Sequence, residues 1–241
     1  MFLTKHCRPL DRERMLNGHF KIGSHKEYSK GEGTGALSDN AEGSGGFSVK
    51  GPLINFTGMV GTITFNDCSF VAATTGSSFV LEDDVNSLMF CASQGDYDPV
   101  RHVAIIKGDS SRSYAPNPDL TAYLTLDSEK LQIALTAATD EFFGARTRWI
   151  GIPVSYGERH EIIDAKDFRG ATSLELTKRL AKQASLKPIK FASEEEYRFL
   201  MCLIADTPLP DILLTNELTE SVNEAFKLSI VSAGDIYAGA V

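Results

Sequence analysis

The chain is poor in several things that would announce a function. It has four cysteines in 241 residues, Cys7, Cys68, Cys91 and Cys202, and no two lie close enough to form a metal-binding pair. Structural zinc needs grouped thiolate and imidazole ligands, so a zinc knuckle is excluded. Scattered thiols fit a reducing compartment, and a cytoplasmic protein is the expectation. No run of apolar residues is long enough for a membrane helix. The opening Met-Phe-Leu-Thr-Lys-His runs into Arg8, Arg12 and Arg14 without the apolar stretch of a secretory leader, so none is expected. There is no GxxxxGK[ST] loop, no strand–GxGxxG–helix unit, no GxSxG elbow and no HExxH pair.

Excess positive charge is also missing. Lys and Arg total 24 against 32 Asp and Glu, a formal net charge of −8, which argues against non-specific binding to nucleic acid or anionic lipid. The charge is uneven: residues 1–30 carry seven cations and three anions, residues 194–241 two cations and nine anions. The two ends either attract in the fold, stay solvated, or form a basic lip that receives an anionic substrate.

What is present is an ordinary folding composition. At 42% hydrophobic and 23% charged residues the chain can bury a core and is not disordered throughout. Its length predicts one domain over residues 1–241. Strands are expected at 2–7, in the apolar stretches between 53 and 93, at VRHVAIIKG (100–108), AYLTL (122–126), RWIGIPVSY (148–156), IKFAS and SIVSAG. EEEYRFLMCLIA reads as strand or helix. Helices are expected at DRERMLN with Gly18 as its stop, after Asp127 or Ser128, from Thr172 or Ser173 to about 185, and near Leu218–Lys227. Seven glycines from Gly31 to Gly51 mark residues 29–51 as a long loop, the kind that closes over ligands. The expected class is α+β, with a mixed or antiparallel β-rich core and three or four helices.

The residues with most chemical content lie at the two ends. His6 sits on the first predicted strand, and Glu194 and Glu196 sit in KPIKFASEEEYRF. The middle supplies SLMFCASQGDY, a strand delivering Ser93 and then Tyr97. A first-strand His, a helix with Gly, a small-residue strand and a late Glu, in that order, resemble the ADP-ribosyltransferase superfamily. The resemblance implies NAD as substrate: His6 and Ser93 would hold the nicotinamide ribose, and Tyr28 or Tyr97 would stack on the nicotinamide ring. Glu196, or Glu194 or Glu195 beside it, would hold the ribose hydroxyl. When neutral nicotinamide departs, an oxocarbenium-like sugar remains, and a carboxylate at the adjacent hydroxyl stabilises it.

A wider resemblance, over roughly residues 2–200, is to a bacterial and phage domain family of unknown function. It rests on Phe20–Ser24, Cys91-Ala92-Ser93, Val154-Ser155-Tyr156 and the closing set Lys187, Phe191, Glu194, Glu196, Tyr197 and Arg198. That family implies a part in phage–host conflict, with a macromolecular acceptor or host protein as partner. Two other classes stand beside the transferase. One is a non-catalytic binding or inhibitor protein using an acidic face that includes Glu217, Glu220 and Glu224. The other is a metal-dependent nuclease built on His25, Glu27, Asp39 and Glu42, whose spacing matches no rigid element.

Overall fold

A computed structural model describes residues 1–24, 44–50, 61–65, 68–75, 78–84, 88–112, 114–143, 147–158, 160–164, 182, 185–203 and 223–236. Along the chain run β1 (Phe2–Cys7), α1 (Pro9–Leu16), β2 (Gly23–Ser24), β3 (Ser44–Lys50), β4 (Gly61–Phe65), β5 (Cys68–Thr75), β6 (Ser78–Asp84) and β7 (Leu88–Gln94). They are followed by α2 (Pro99–Lys107), β8 (Ala122–Asp127), α3 (Ser128–Phe143), β9 (Thr147–Pro153), β10 (Ser155–Tyr156) and β11 (His160–Asp164). The last elements are β12 (Leu186–Lys187), a 3-10 turn (Ile189–Glu194), β13 (Glu196–Leu203), α4 (Asn223–Ser229) and β14 (Ile230–Asp235).

The architecture is α+β and mostly antiparallel. One sheet has the order β14-β8-β1-β7-β13-β9, with β2 also on β7; a second has the order β11-β3-β6-β5-β4; β10 and β12 form a short parallel pair. No helix among the described residues is long and apolar enough to cross a membrane.

The first sheet has two unlike faces, because side chains alternate along a strand. One face is apolar. Leu3, Leu88, Phe90, Leu124, Leu126 and Phe199 meet Leu131, Leu135 and Ala138 of α3 and Phe226 of α4 in a continuous core. Trp149 joins them; its indole N–H donates to Thr139 Oγ1 at 3.0 Å. The other face is polar. Register aligns Thr125 with Thr4, Thr4 with Ser93, and Ser93 with Glu196, a row of buried polar side chains across four strands.

Several expectations need correction. VRHVAIIKG is helix α2, not a strand. Its β-branched residues favour strand, but Asp98 caps it by accepting from the Val100 N–H at 2.8 Å, Pro99 opens it, and Gly108 (φ 70°) stops it. It buries His102, Ile105 and Ile106, a helical spacing. IKFAS is a 3-10 turn ending on Glu195 in the left-handed region (φ 43°). Residues 44–50, read as part of the glycine-rich loop, form strand β3, paired with both β6 and β11. Residues 25–43 and most of the helix expected near 173–185 lie outside the described residues. Within EEEYRFLMCLIA, Glu196–Leu203 form strand β13. Pro153 ends β9, the outermost described strand on its side, where a missing backbone N–H is tolerated.

Candidate functional site

The polar face encloses a cavity of about 110 Å³ lined by Thr4, His6, Cys91, Ser93, Lys187, Glu194 and Glu196, with atoms of Lys5, Met89, Ala92, Ile105 and Leu120 completing the wall. Its position follows from an interrupted ladder. β1 pairs with β8 over its whole length, but with β7 only at Leu3–Gln94 and Thr4–Ser93. β2 takes the same edge of β7 at Met89 and Leu88. Between these short pairings the seam is open. Lys5 fills it, donating to the Cys91 carbonyl at 2.8 Å with its ammonium 5.2 Å above the Phe90 ring. Lys5 and Ala92 alternate with the polar-face residues and would be shut away from the cavity in an unbroken sheet.

On the β13 side stands a buried ion network. Lys187 Nζ donates to Glu194 and to Glu196, each at 2.7 Å, and Arg198 Nε donates to Glu196 at 2.5 Å. Tyr114 Oη donates to Glu194 at 3.1 Å. The Glu196 backbone N–H donates to Tyr156 Oη at 2.6 Å. Arg198 is 1% exposed and the other three charged members 5% or less. The sequence reaches this geometry through Pro188 and the left-handed Glu195: the 3-10 turn folds Glu194 back beside Lys187, and β13 then presents Glu196 and Arg198 on one face. Glu195 between them points out to Arg101 of α2, which also donates to the Gln94 carbonyl.

The two inward carboxylates are pushed apart in acidity. Burial, with the nearby negative charge of Glu196, raises Glu194 to about 7 despite Lys187. Burial also works against the charge on Glu196, but Arg198 and Lys187 outweigh it and hold that carboxyl well below the usual range. A pair of carboxyls separated in this way supplies a permanent anion and a proton carrier.

Across the cavity, His6 has both ring nitrogens buried with no hydrogen-bond partner among the described residues. Its ring lies 4.4 Å from that of His102, whose Nε2 bonds the Leu120 carbonyl. Burial, and then the charges of His102, Arg101 and Lys5, lower the His6 pKa to about 3, so at neutral pH it is a neutral imidazole with one donor and one acceptor to offer.

His6, Ser93, Glu194 and Glu196 therefore line one space. Tyr97 does not join them: its ring is stacked on Tyr123 at 3.5 Å between centroids and meets His102 edge-on. Tyr28, and the His25, Glu27, Asp39 and Glu42 group, lie outside the described residues. Among the described residues no group of three or more His, Cys, Asp or Glu is placed to hold a metal. Glu217 and Glu220 of the acidic segment also lie outside; Glu224 is exposed on α4 and pairs with Lys227 at 2.8 Å. Of the three consecutive glutamates, Glu194 and Glu196 are buried and Glu195 is exposed. Sequence reasoning assigned no role to Lys187, Tyr114, Lys5 or Cys91. Lys187 was visible in the closing set of residues; nothing local marked Tyr114. Comparison with known proteins finds no family model, no curated protein and no solved structure that matches this chain.

Proposed function

We propose that this cavity is the reaction pocket of an NAD-consuming ADP-ribosyltransferase-like enzyme that modifies a macromolecular acceptor. The observation that carries the reading is that the first-strand His6, the mid-chain Ser93 and the late Glu196, far apart in sequence, line one cavity. The donor set suits the chemistry. Glu196 stays ionised and uses two of its lone-pair directions on Lys187 and Arg198, which leaves capacity for a sugar hydroxyl. That carboxylate would stabilise the oxocarbenium-like sugar as nicotinamide leaves. Glu194, carrying its proton part of the time near neutrality, would move a proton on the acceptor side. The unpartnered His6 nitrogens and the Ser93 hydroxyl would fix the ribose. At about 110 Å³ the cavity is below the roughly 300 Å³ of an ordinary small-molecule site, so only the nicotinamide end would enter it. The stacking aromatic is not Tyr97 in this geometry, and Tyr28 is the remaining tyrosine for that part. A place in phage–host conflict is part of the same proposal and rests on the family resemblance alone.

The test is release of nicotinamide from NAD by the full chain, compared with Glu196→Gln. The substitution keeps the shape and removes the charge. Turnover by the parent, and a loss of about a hundredfold or more in the variant with folding intact, is the expected result. No turnover by the parent, or unchanged turnover in the variant, would reject the assignment.

A further inference from the structure

We propose that Arg101 of α2 is a positioning residue for the cavity: it clamps Glu195 in the left-handed conformation that brings Glu194 and Glu196 onto Lys187 together. The consequence for turnover rests on the transferase reading above; the consequence for structure stands without it. Three features carry the proposal.

The first is the joint itself. One residue, Glu195, links the 3-10 turn that carries Glu194 to strand β13 that carries Glu196. Its φ of 43° and ψ of 50° set how the two carboxylates stand to each other, and both reach the Lys187 ammonium at 2.7 Å. Among the described residues Glu195 is the only non-glycine residue with a positive φ. A residue with a Cβ leaves that region readily unless its surroundings hold it there. The second is what holds it. Arg101 Nη2 donates to the Glu195 carboxylate and Nη1 to the Gln94 carbonyl at 2.5 Å, while the Gln94 N–H donates to the Glu195 carbonyl at 2.8 Å. The planar guanidinium ties the side chain of Glu195 to the end of β7, and the backbone bond ties its main chain to the same residue.

The third is where the cation stands. Arg101 lies in the first turn of α2, where the helix dipole disfavours positive charge, so helix stability does not explain it. Glu195 is exposed and Arg101 half-buried, and an ion pair so placed adds little to overall stability. The clamp therefore acts locally, on the joint. Helix α2 meets the opposite wall as well: His102, the next residue, packs its ring 4.4 Å from that of His6, and Ile105 lines the cavity. One helix thereby sets the acidic wall against the imidazole wall.

Backbone amide hydrogen exchange, read residue by residue by NMR on the full chain, tests the clamp. The reporters are Gln94, whose N–H donates to Glu195, and Glu196, whose N–H donates to Tyr156. Leu124 and Leu126 of β8, which lies between β14 and β1, are the reference. In Arg101→Met, protection at Gln94 and Glu196 should fall about tenfold or more while β8 changes little. Adding Glu195→Gly should restore it, because glycine takes the left-handed conformation without a clamp. An ion pair that merely added stability would not be rescued in this way, since Glu195→Gly removes the pair itself. Equal loss across β8, unchanged protection in Arg101→Met, or no rescue by Glu195→Gly would overturn the proposal. Should Arg101→Met fold poorly, Glu195→Gly and Glu195→Val are compared instead: both remove the ion pair, and only valine resists the left-handed region. Protection kept in the glycine variant and lost in the valine variant is then expected, and equal protection in the two counts against the clamp. Nicotinamide release is measured on the same variants. With turnover in the parent, Arg101→Met should lower kcat about tenfold or more at little-changed KM, with recovery in the double variant, and an unchanged kcat would overturn the positioning role. No turnover in the parent removes the transferase reading and leaves the exchange result to decide the clamp.

Discussion

Replacing Lys187 with Met tests the ion network as a physical unit. The side chain is of similar length and its stem lies beside Phe191, with Nζ 4.6 Å above that ring, so packing is largely kept. What is lost is the cation between two buried carboxylates, each 2.7 Å away. Among the described residues Glu196 keeps Arg198, whereas Glu194 keeps only the Tyr114 hydroxyl. Removing one partner of a buried ion pair costs about 3–5 kcal/mol. With a urea slope near 3 kcal/mol per molar, the unfolding midpoint should fall by about 1 M or more. The loss should depend on pH. The folded-state pKa of Glu194 is already raised to about 7, and without Lys187 it rises further. A group whose folded pKa is raised favours the folded state when protonated, and that advantage is lost as pH rises through the folded value. The gap between variant and parent should therefore widen above pH 7 and be smaller at pH 5.5. Fluorescence of Trp149, which is 1% exposed and the sole tryptophan, reports unfolding. A midpoint change worth less than about 1 kcal/mol, or the same change at pH 5.5 and 8.5, would refute the reasoning.

Other outcomes follow from the same geometry. The folded-state pKa of His6 is lowered from 6.5 to about 3, so the parent should lose stability as pH falls below 6.5, by at most about 1.4 kcal/mol per pH unit from this group. His6→Gln should flatten that dependence between pH 6.5 and 4 in urea titrations, and an unchanged slope would place the cost elsewhere. Asp98→Ala removes the α2 cap and should cost about 1 kcal/mol, read as a fall in melting temperature with the cavity's ligand affinity weakened in step, because Ile105 of that helix lines the wall. Glu194→Gln should suppress the neutral-pH inflection of turnover while Glu196→Gln abolishes turnover; an inflection that survives Glu194→Gln would assign the titration to another group.

Much of the framework was legible because strands with one buried face write their pattern into the chain. β8 carries Ala122, Leu124 and Leu126 at alternate positions, β7 opens on a continuous apolar run from Leu88 to Ala92, and α3 carries Leu131, Ala134, Leu135 and Ala138 at helical spacing. The polar half of the same pattern was also present: Glu196 and Arg198 alternate with Tyr197 and Phe199, and both charged residues face inward. That Glu194 joins them depends on a left-handed residue at Glu195, which no residue preference signals, since non-glycine residues seldom adopt it. Helix α2 was hidden by its own Val and Ile content; the Asp98-Pro99 start and Gly108 stop were the better guide. The open seam beside Lys5 was not readable at all. It arises from β1 and β2 sharing one edge of β7, a fact of long-range pairing rather than of local sequence.

The central claim is that the space between His6 and Glu196 receives the nicotinamide end of NAD. A crystal structure of the Glu196→Gln chain with NAD tests it directly. The account predicts the nicotinamide ribose between His6, Ser93 and residue 196. NAD bound on another surface, with the cavity closed by its own side chains, would contradict it.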